Sequence, residues 1–236
     1  PSPPMGVIDF LFPKNCLNCG RKGQYICTDC LGKIRPAKQI CPYCYKAAID
    51  GITHIKCAKK FGIDGLVCPW DYEGIIRKAI LSLKFKYATE VEKELFTHFI
   101  SVLKSPNMNP SAGSRFLIPD SSILVPVPMY WYNQNVRGFN QSIELGKLLA
   151  KEMDWKFVPD LLVKKKKTVS QVELKGDERR QNLKRVFALN PNYQVTSSPS
   201  VILFDDVFTT GSTLSEAAKA LKRGGVEKVW GLTIAR

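Results

Sequence analysis

The segment VILFDDVFTTGST, at residues 201–213, restricts the fold more than any other part of this 236-residue chain. Val201, Ile202, Leu203 and Phe204 form an apolar run too short for a buried helix, so they read as a strand covered on both faces. Asp205 and Asp206 follow where that strand emerges. Thr209, Thr210, Gly211, Ser212 and Thr213 come next and open a helix expected over Leu214 to Lys222. Open α/β sheets bind ligands at this carboxyl edge. Two adjacent carboxylates there need a cation or hydroxyl partners, and the turn brings backbone N–H groups, hydroxyls and the positive end of a helix to one point. That point suits a phosphate monoester. Gly211 permits a close backbone approach that a side chain would obstruct. A Walker-type nucleotide loop is excluded, because no GxxxxGK followed by Ser or Thr occurs.

The rest of the chain from about residue 61 reads as alternating strands and helices. GLVCPWDY (65–72) is strand-like and a helical stretch follows around Ile75 to Phe85. Thr89 to Leu103 carries Val91, Leu95, Phe99 and Val102 at helical spacing, before a loop rich in Pro, Ser and Asn at 105–120. ILVPVP (123–128) reads as a buried strand, Phe139 to Lys151 as a helix, and VWGLTIA (229–235) as a last strand. Short apolar runs separated by helices predict a mostly parallel sheet flanked by helices.

Seven of the eight cysteines fall within residues 16–57, where no strongly apolar run lies. The expected division is a small N-terminal metal-binding module at 1–60 and an α/β domain at 61–236. The spacing is Cys16-x2-Cys19-x7-Cys27-x2-Cys30, then Cys41-x2-Cys44-x9-His54-x2-Cys57. A two-residue spacer lets both side chains of a tight turn converge on one tetrahedral ion. Four sulfur or nitrogen ligands close the site, which favours two structural Zn2+ ions over catalytic ones. A disulfide framework fits poorly, since paired C-x2-C spacing gives bad bridge geometry and no secretory signal accompanies it. The pairing is open between sequential sets and a cross-braced one (Cys16/Cys19 with Cys41/Cys44, Cys27/Cys30 with His54/Cys57). Cys68 reads as a small buried hydrophobe.

The chain carries 35 Lys and Arg against 21 Asp and Glu, a formal charge of +14. A balance of that size points to a polyanionic partner such as nucleic acid, the alternative being a lysine-rich solvated surface. No stretch approaches the length of a membrane span, so no membrane insertion and a cytoplasmic location are expected, with Met5 as the natural start.

The strand, DDVxTTGxT and helix in that order resemble the phosphoribosyl pyrophosphate (PRPP) loop of type I phosphoribosyltransferases. That likeness implies that Asp205 and Asp206, the catalytic candidates, hold the ribose hydroxyls. It also implies that Thr209, Thr210, Gly211, Ser212 and Thr213 cradle the 5′-phosphate, and that Mg2+ bridges ribose and pyrophosphate oxygens. With VPVPMYWYNQNVRGFNQ (125–141), KKKKTVSQVELKGDERRQNLKRVF (164–187) and the cysteine pairs, the resemblance extends over nearly the whole chain to the competence protein ComF family. The family implies a zinc-binding module on a phosphoribosyltransferase-like domain, action on single-stranded DNA during uptake and natural transformation, and a competence helicase as partner. It places Arg137 beside the pyrophosphate. It also places Lys164, Lys165, Lys166, Lys167, Gln171, Arg179 and Arg180 in a mobile loop that closes over the reacting centre in true transferases.

Two features differ from the pattern. Tyr132, Asn133, Gln134 and Asn135 stand where arginines are common in the family, and only residues 61–90 are expected to supply a base-reading hood. The basic run at 164–167 reads as a solvated loop or, with Arg179, Arg180, Lys184 and Arg185, as a patch for phosphates. Tyr130, Trp131, Tyr132 and Phe139 read as stacking rings for a single strand or as core packing. Three functions are compatible with these readings. They are a PRPP- and single-strand-binding protein of DNA uptake, a Mg2+-dependent phosphoribosyltransferase with an unidentified acceptor in nucleotide metabolism, and a PRPP-sensing regulator without turnover.

Overall fold

The computed structural model describes residues 14–83, 89–105, 123–128, 141–165, 186–194 and 200–236. After a one-turn helix at Thr28–Leu31 and 3-10 turns at Ile49–Gly51 and Ile55–Cys57, its elements in chain order are β1 (Gly65–Val67), α1 (Gly74–Ser82), α2 (Thr89–Lys104), β2 (Ile123–Pro126), α3 (Gln141–Met153), β3 (Lys156–Phe157), β4 (Leu162–Lys164), β5 (Phe187–Leu189), β6 (Ser200–Val207), α4 (Ser212–Arg223) and β7 (Lys228–Ala235). The α/β alternation matches the sequence reading. β3, β4 and β5 were not expected. Each is only two or three residues long and two carry lysines, so no apolar run announces them.

Five strands form one sheet in the order β1-β7-β6-β2-β3, and every pair in it is parallel. β6 is central. Its Val201, Ile202, Leu203 and Phe204 are buried because helices cover both faces, which is why the run is continuous rather than alternating. β4 and β5 form a separate antiparallel pair.

The two faces have separate cores. On one, α1, α2 and α3 pack over Leu124, Ile202, Phe204 and Leu232, with a tilted aromatic chain from Trp70 through Phe99 to Phe204 at centroid distances of 5.9 and 6.3 Å. On the other, α4 and the β4–β5 pair cover Val125, Val201 and Leu203. α4 buries Leu214, Ala217, Ala218 and Leu221, the stripe expected of an amphipathic helix, and ends on Lys222 and Arg223, which suit the negative end of its dipole.

The cysteine-rich segment belongs to both cores. Cys16, Ile26, Cys27 and Cys30 pack with the α1–α3 side, whereas Ile40 packs with the α4 side. Isolated bridges Pro36 to Trp70 and Ile52 to Gly65 attach the segment along the edge marked by β1. The segment therefore wraps that edge, which would otherwise present unpaired backbone groups. Ile26 N–H donates to Glu94 at 2.8 Å and Lys14 pairs with Glu90 at 3.1 Å, tying the first half to α2.

Candidate functional site

β2 and β6 are neighbours, yet the helices that follow them go to opposite faces: α3 packs with one core and α4 with the other. Adjacent strands whose connections diverge leave a crevice at their carboxyl ends, where open α/β sheets take ligands. In this sheet that edge is formed by Val127 and the turn after β6.

Asp205 and Asp206 are the residues on that edge. Each caps the backbone that follows it: Asp206 N–H donates to Asp205 Oδ1 at 3.0 Å, and Val207 N–H donates to Asp206 Oδ1 at 2.7 Å. Burial, and then the neighbouring charge of Asp206, hold the Asp205 carboxyl well above the usual carboxylate range. Lys164, at the end of β4, works against that shift, and its own ammonium is pushed below the ordinary lysine range by burial while Asp205 supports it. The structure therefore brings one residue of the basic run to the acidic pair. Lys165 N–H pairs with the Val186 carbonyl at 2.7 Å, so the run begins in a ladder rather than a loop. Lys166, Lys167, Gln171, Arg179, Arg180 and Arg137 lie outside the described residues.

Phe208 N–H bonds to the Ala235 carbonyl at 2.8 Å and anchors the turn to the end of β7. Gly211 has φ +63, in the left-handed region, and a Cβ there would meet the Phe208 ring at 2.7 Å. Both facts require glycine. Thr210 and Ser212 hydroxyls are 2.8 Å apart, and Ser215 N–H returns to the Gly211 carbonyl at 2.8 Å to start α4. Two hydroxyls therefore meet where α4 begins.

The cysteines assemble as two sequential sets. In Cys16, Cys19, Cys27 and Cys30, and again in Cys41, Cys44, His54 and Cys57, all ligand atoms lie within 4.8 Å of one another. The cross-braced arrangement is not formed. Distances of 3.5 Å from Cys19 Sγ to Cys27 Sγ and 3.3 Å from Cys44 Sγ to His54 Nδ1 leave room for a central ion, and the thiols are free. Each set holds one thiol that its surroundings lower and one that they raise: Asn18 favours the Cys30 thiolate, but burial and the neighbouring thiols push Cys30 up to about 11, and burial with Cys44 and Cys41 does the same to Cys57. Burial opposes ionisation of Cys16, but backbone N–H groups of Cys19, Cys27 and Asn18 outweigh it and bring the thiol down to about 6. Cys41 is brought to about 7 in the same way, by N–H groups of Cys44, Tyr43 and His54. His54 Nε2 lies 3.0 Å from the Ala47 carbonyl, and donation there frees Nδ1 to face the cysteines. Cys68 belongs to neither set, and burial pushes its thiol up to about 12.

Sequence reasoning did not anticipate how the second set meets the phosphate-type turn. Tyr45 follows the Cys41–Cys44 knuckle, its hydroxyl donates to the Thr210 carbonyl at 3.0 Å, and its ring sits 6.3 Å from Phe208. Pro42 lies against Gly211. The only local signal was an aromatic residue directly after a C-x2-C pair.

A parallel sheet whose central strand ends in an acidic pair and a hydroxyl-rich turn opening a helix defines a phosphoribosyltransferase-like α/β protein, here with two N-terminal groups able to hold metal ions. No protein-family model matches the chain. It is 30% identical over 209 residues to DNA utilization protein YhgH of Escherichia coli O157:H7, covering 86% of this chain and 87% of that protein. It is 40% identical over 111 residues to Competence protein F of Haemophilus influenzae, covering 46% of this chain and 48% of that protein, about half its length. The chain belongs to the ComF family. Among solved structures it is similar to the glutamine PRPP amidotransferase of B. subtilis, with a TM-score of 0.40 at 13% identity, covering 65% of this chain and 30% of that one. Among the described residues no helix is long and apolar enough to cross a membrane.

Proposed function

We propose that the chain binds PRPP with Mg2+ at the β6–α4 turn, binds single-stranded DNA, and serves DNA uptake or utilization. One observation carries the first part: Asp205 and Asp206 stand at the switch-point edge, directly before a turn whose hydroxyls meet where α4 begins. In this reading the carboxylates hold the ribose hydroxyls, and Thr209 to Thr213 take the 5′-phosphate. A bound Mg2+ would neutralise pyrophosphate oxygens, and the raised Asp205 carboxyl would lose its proton as a cation or ribose hydroxyl arrives. The two sulfur-rich sets hold structural Zn2+. The DNA part is supported by the +14 charge and by the names of the relatives, a competence protein and DNA utilization proteins.

Calorimetry with PRPP and Mg2+ tests the site. Wild type should bind, and the Asp205→Asn, Asp206→Asn double variant should not; no heat from wild type would end the proposal. Titration of a fluorescent single strand across a salt series tests the DNA part, since log affinity should fall linearly with log salt.

Lys164 favours a second reading, transferase turnover. A cation held in partly buried surroundings opposite the Asp pair is where charge on a departing pyrophosphate would be stabilised. Pyrophosphate release from PRPP in the presence of candidate acceptors decides between turnover and binding alone.

A further inference from the structure

A cleft of about 500 Å³ runs beside the phosphate-type turn, between the second cysteine set and the exposed flank of α4. Thr210 and Ser212 form the end nearest the turn, Tyr43 and Tyr45 line one wall, and Lys59 and Lys219 stand at its sides. Aromatic rings and two cations line it, with the Glu216 carboxylate beside Lys219. Lys59 Nζ lies 4.6 Å from the Tyr43 ring centroid, which holds the ammonium at the rim beside an aromatic face. Lys219 is paired with Glu216 one turn back along α4. Just beyond, Lys60 and Arg223 both sit over Phe61, at 5.5 and 5.6 Å, continuing the alternation of rings and cations.

Tyr45 bonds the Thr210 carbonyl and meets the Phe208 ring, yet much of it stays uncovered. It is 47% exposed, although a large ring is ordinarily covered where a fold can cover it. Its φ is +59, a conformation that costs an L-residue about 1–2 kcal/mol. The first knuckle has the same backbone turn: Gly20 N–H bonds to the Cys16 carbonyl at 2.9 Å, as Tyr45 N–H bonds to the Cys41 carbonyl at 3.0 Å. There the position is glycine, with φ +75. The second knuckle therefore keeps a strained, half-exposed tyrosine where its twin uses the residue the backbone prefers. Strain retained in this way marks a position held for contact with something else.

We propose that this cleft binds a nucleotide unit, with the base against Tyr45 and its phosphate between Lys59 and Lys219. The proposal rests on the reading that the chain handles nucleic acid, and it puts that contact on the second cysteine set and α4 rather than on the basic run at 164–185. The nucleotide has two sources, a unit within a single strand or a free mononucleotide, and both share the ring and phosphate the cleft matches.

The test uses the zinc-loaded full chain with fluorescent dT12, and dTMP as the competing mononucleotide. Tyr45→Ala should weaken binding about 10-fold, the loss of one stacked base. Tyr45→Phe should bind as wild type, because the ring remains. The surface variant Lys59→Ala, Lys219→Ala should flatten the plot of log affinity against log salt by about 0.7, the value for one single-strand phosphate that is no longer neutralised. A 5-iodouracil-substituted strand should crosslink to the peptide containing Tyr45. If the site serves free nucleotides, millimolar dTMP should displace the strand fully and show the same sensitivity to Tyr45→Ala. If it serves strands, dTMP should fail to compete. Either pattern supports the cleft. Strand binding that none of the variants alters, with crosslinks outside the cleft, overturns the cleft and leaves the DNA reading standing. Absence of binding to both strand and mononucleotide by wild type overturns both.

Discussion

Gly211→Ala separates backbone strain from steric strain at the turn. An alanine held in the left-handed region costs about 1–2 kcal/mol relative to glycine. The less flexible unfolded chain returns about 0.4–1 kcal/mol of it, so the net backbone effect is about 1 kcal/mol. Gly74 measures that effect alone, since its φ is +50 and nothing lies within 4 Å of an added Cβ. At Gly211 the φ is +63, and the same methyl would stand 2.7 Å from both Cε2 and Cζ of Phe208. Phe208 is itself 3% exposed and anchored to the end of β7 through its N–H, so its ring has little room to retreat. Forcing a methyl into such packing costs about 1–3 kcal/mol. Gly211→Ala should therefore destabilise by about 2–4 kcal/mol and lower Tm by about 5–15 °C, against about 1 kcal/mol for Gly74→Ala. Urea unfolding of the zinc-loaded variants measures both. Adding Phe208→Leu should lessen the incremental cost of Gly211→Ala by giving the methyl room, leaving the backbone part. Equal costs for the two glycine variants would refute the steric half of the reasoning.

Other expectations concern charge, metal and thiols. The Asp205 carboxyl is raised in the fold, first by burial, so the native state keeps a proton that the unfolded chain releases. Stability then falls as pH climbs from the unfolded value of about 4 through the higher folded value. Asp205→Asn should raise Tm at neutral pH and flatten that dependence while abolishing PRPP binding; a lower Tm at neutral pH would contradict the assigned burial. The first cysteine set packs in the α1–α3 core, whereas Pro42 and Tyr45, beside the second set, touch the turn. Hydrogen exchange of the 208–213 peptide should accelerate in Cys44→Ser but stay near wild type in Cys19→Ser. Tyr45→Phe removes one partly exposed hydrogen bond and should cost only about 0.5 kcal/mol in urea unfolding. Cys68, with its thiol at about 12, should resist iodoacetamide at pH 8 in the native protein and react after unfolding, as peptide mass mapping would show.

The residues that announced the fold are those whose environment is set by the backbone near them. Val201 to Phe204 had to be a buried strand because no half-exposed position interrupts them, and the acids and hydroxyls after them stand where that strand and the next helix put them. Cysteine spacing foretold two ligand sets, since a C-x2-C knuckle is local geometry, but the choice between sequential and cross-braced sets is tertiary and appears only in the folded distances. β4 and β5 gave no pattern, because a strand of three residues has no period to read. The wrapping of β1 was equally silent, since Ile26 and Ile40 look alike in sequence and pack on opposite sides of the sheet. That wrapping bears directly on the site. The path over the edge places the second knuckle, but not the first, beside the carboxyl end of β6, where Tyr45 bonds the Thr210 carbonyl. Whatever fixes the geometry of that knuckle therefore also fixes one wall of the turn, and binding at the turn must feed back on the knuckle with the same coupling free energy.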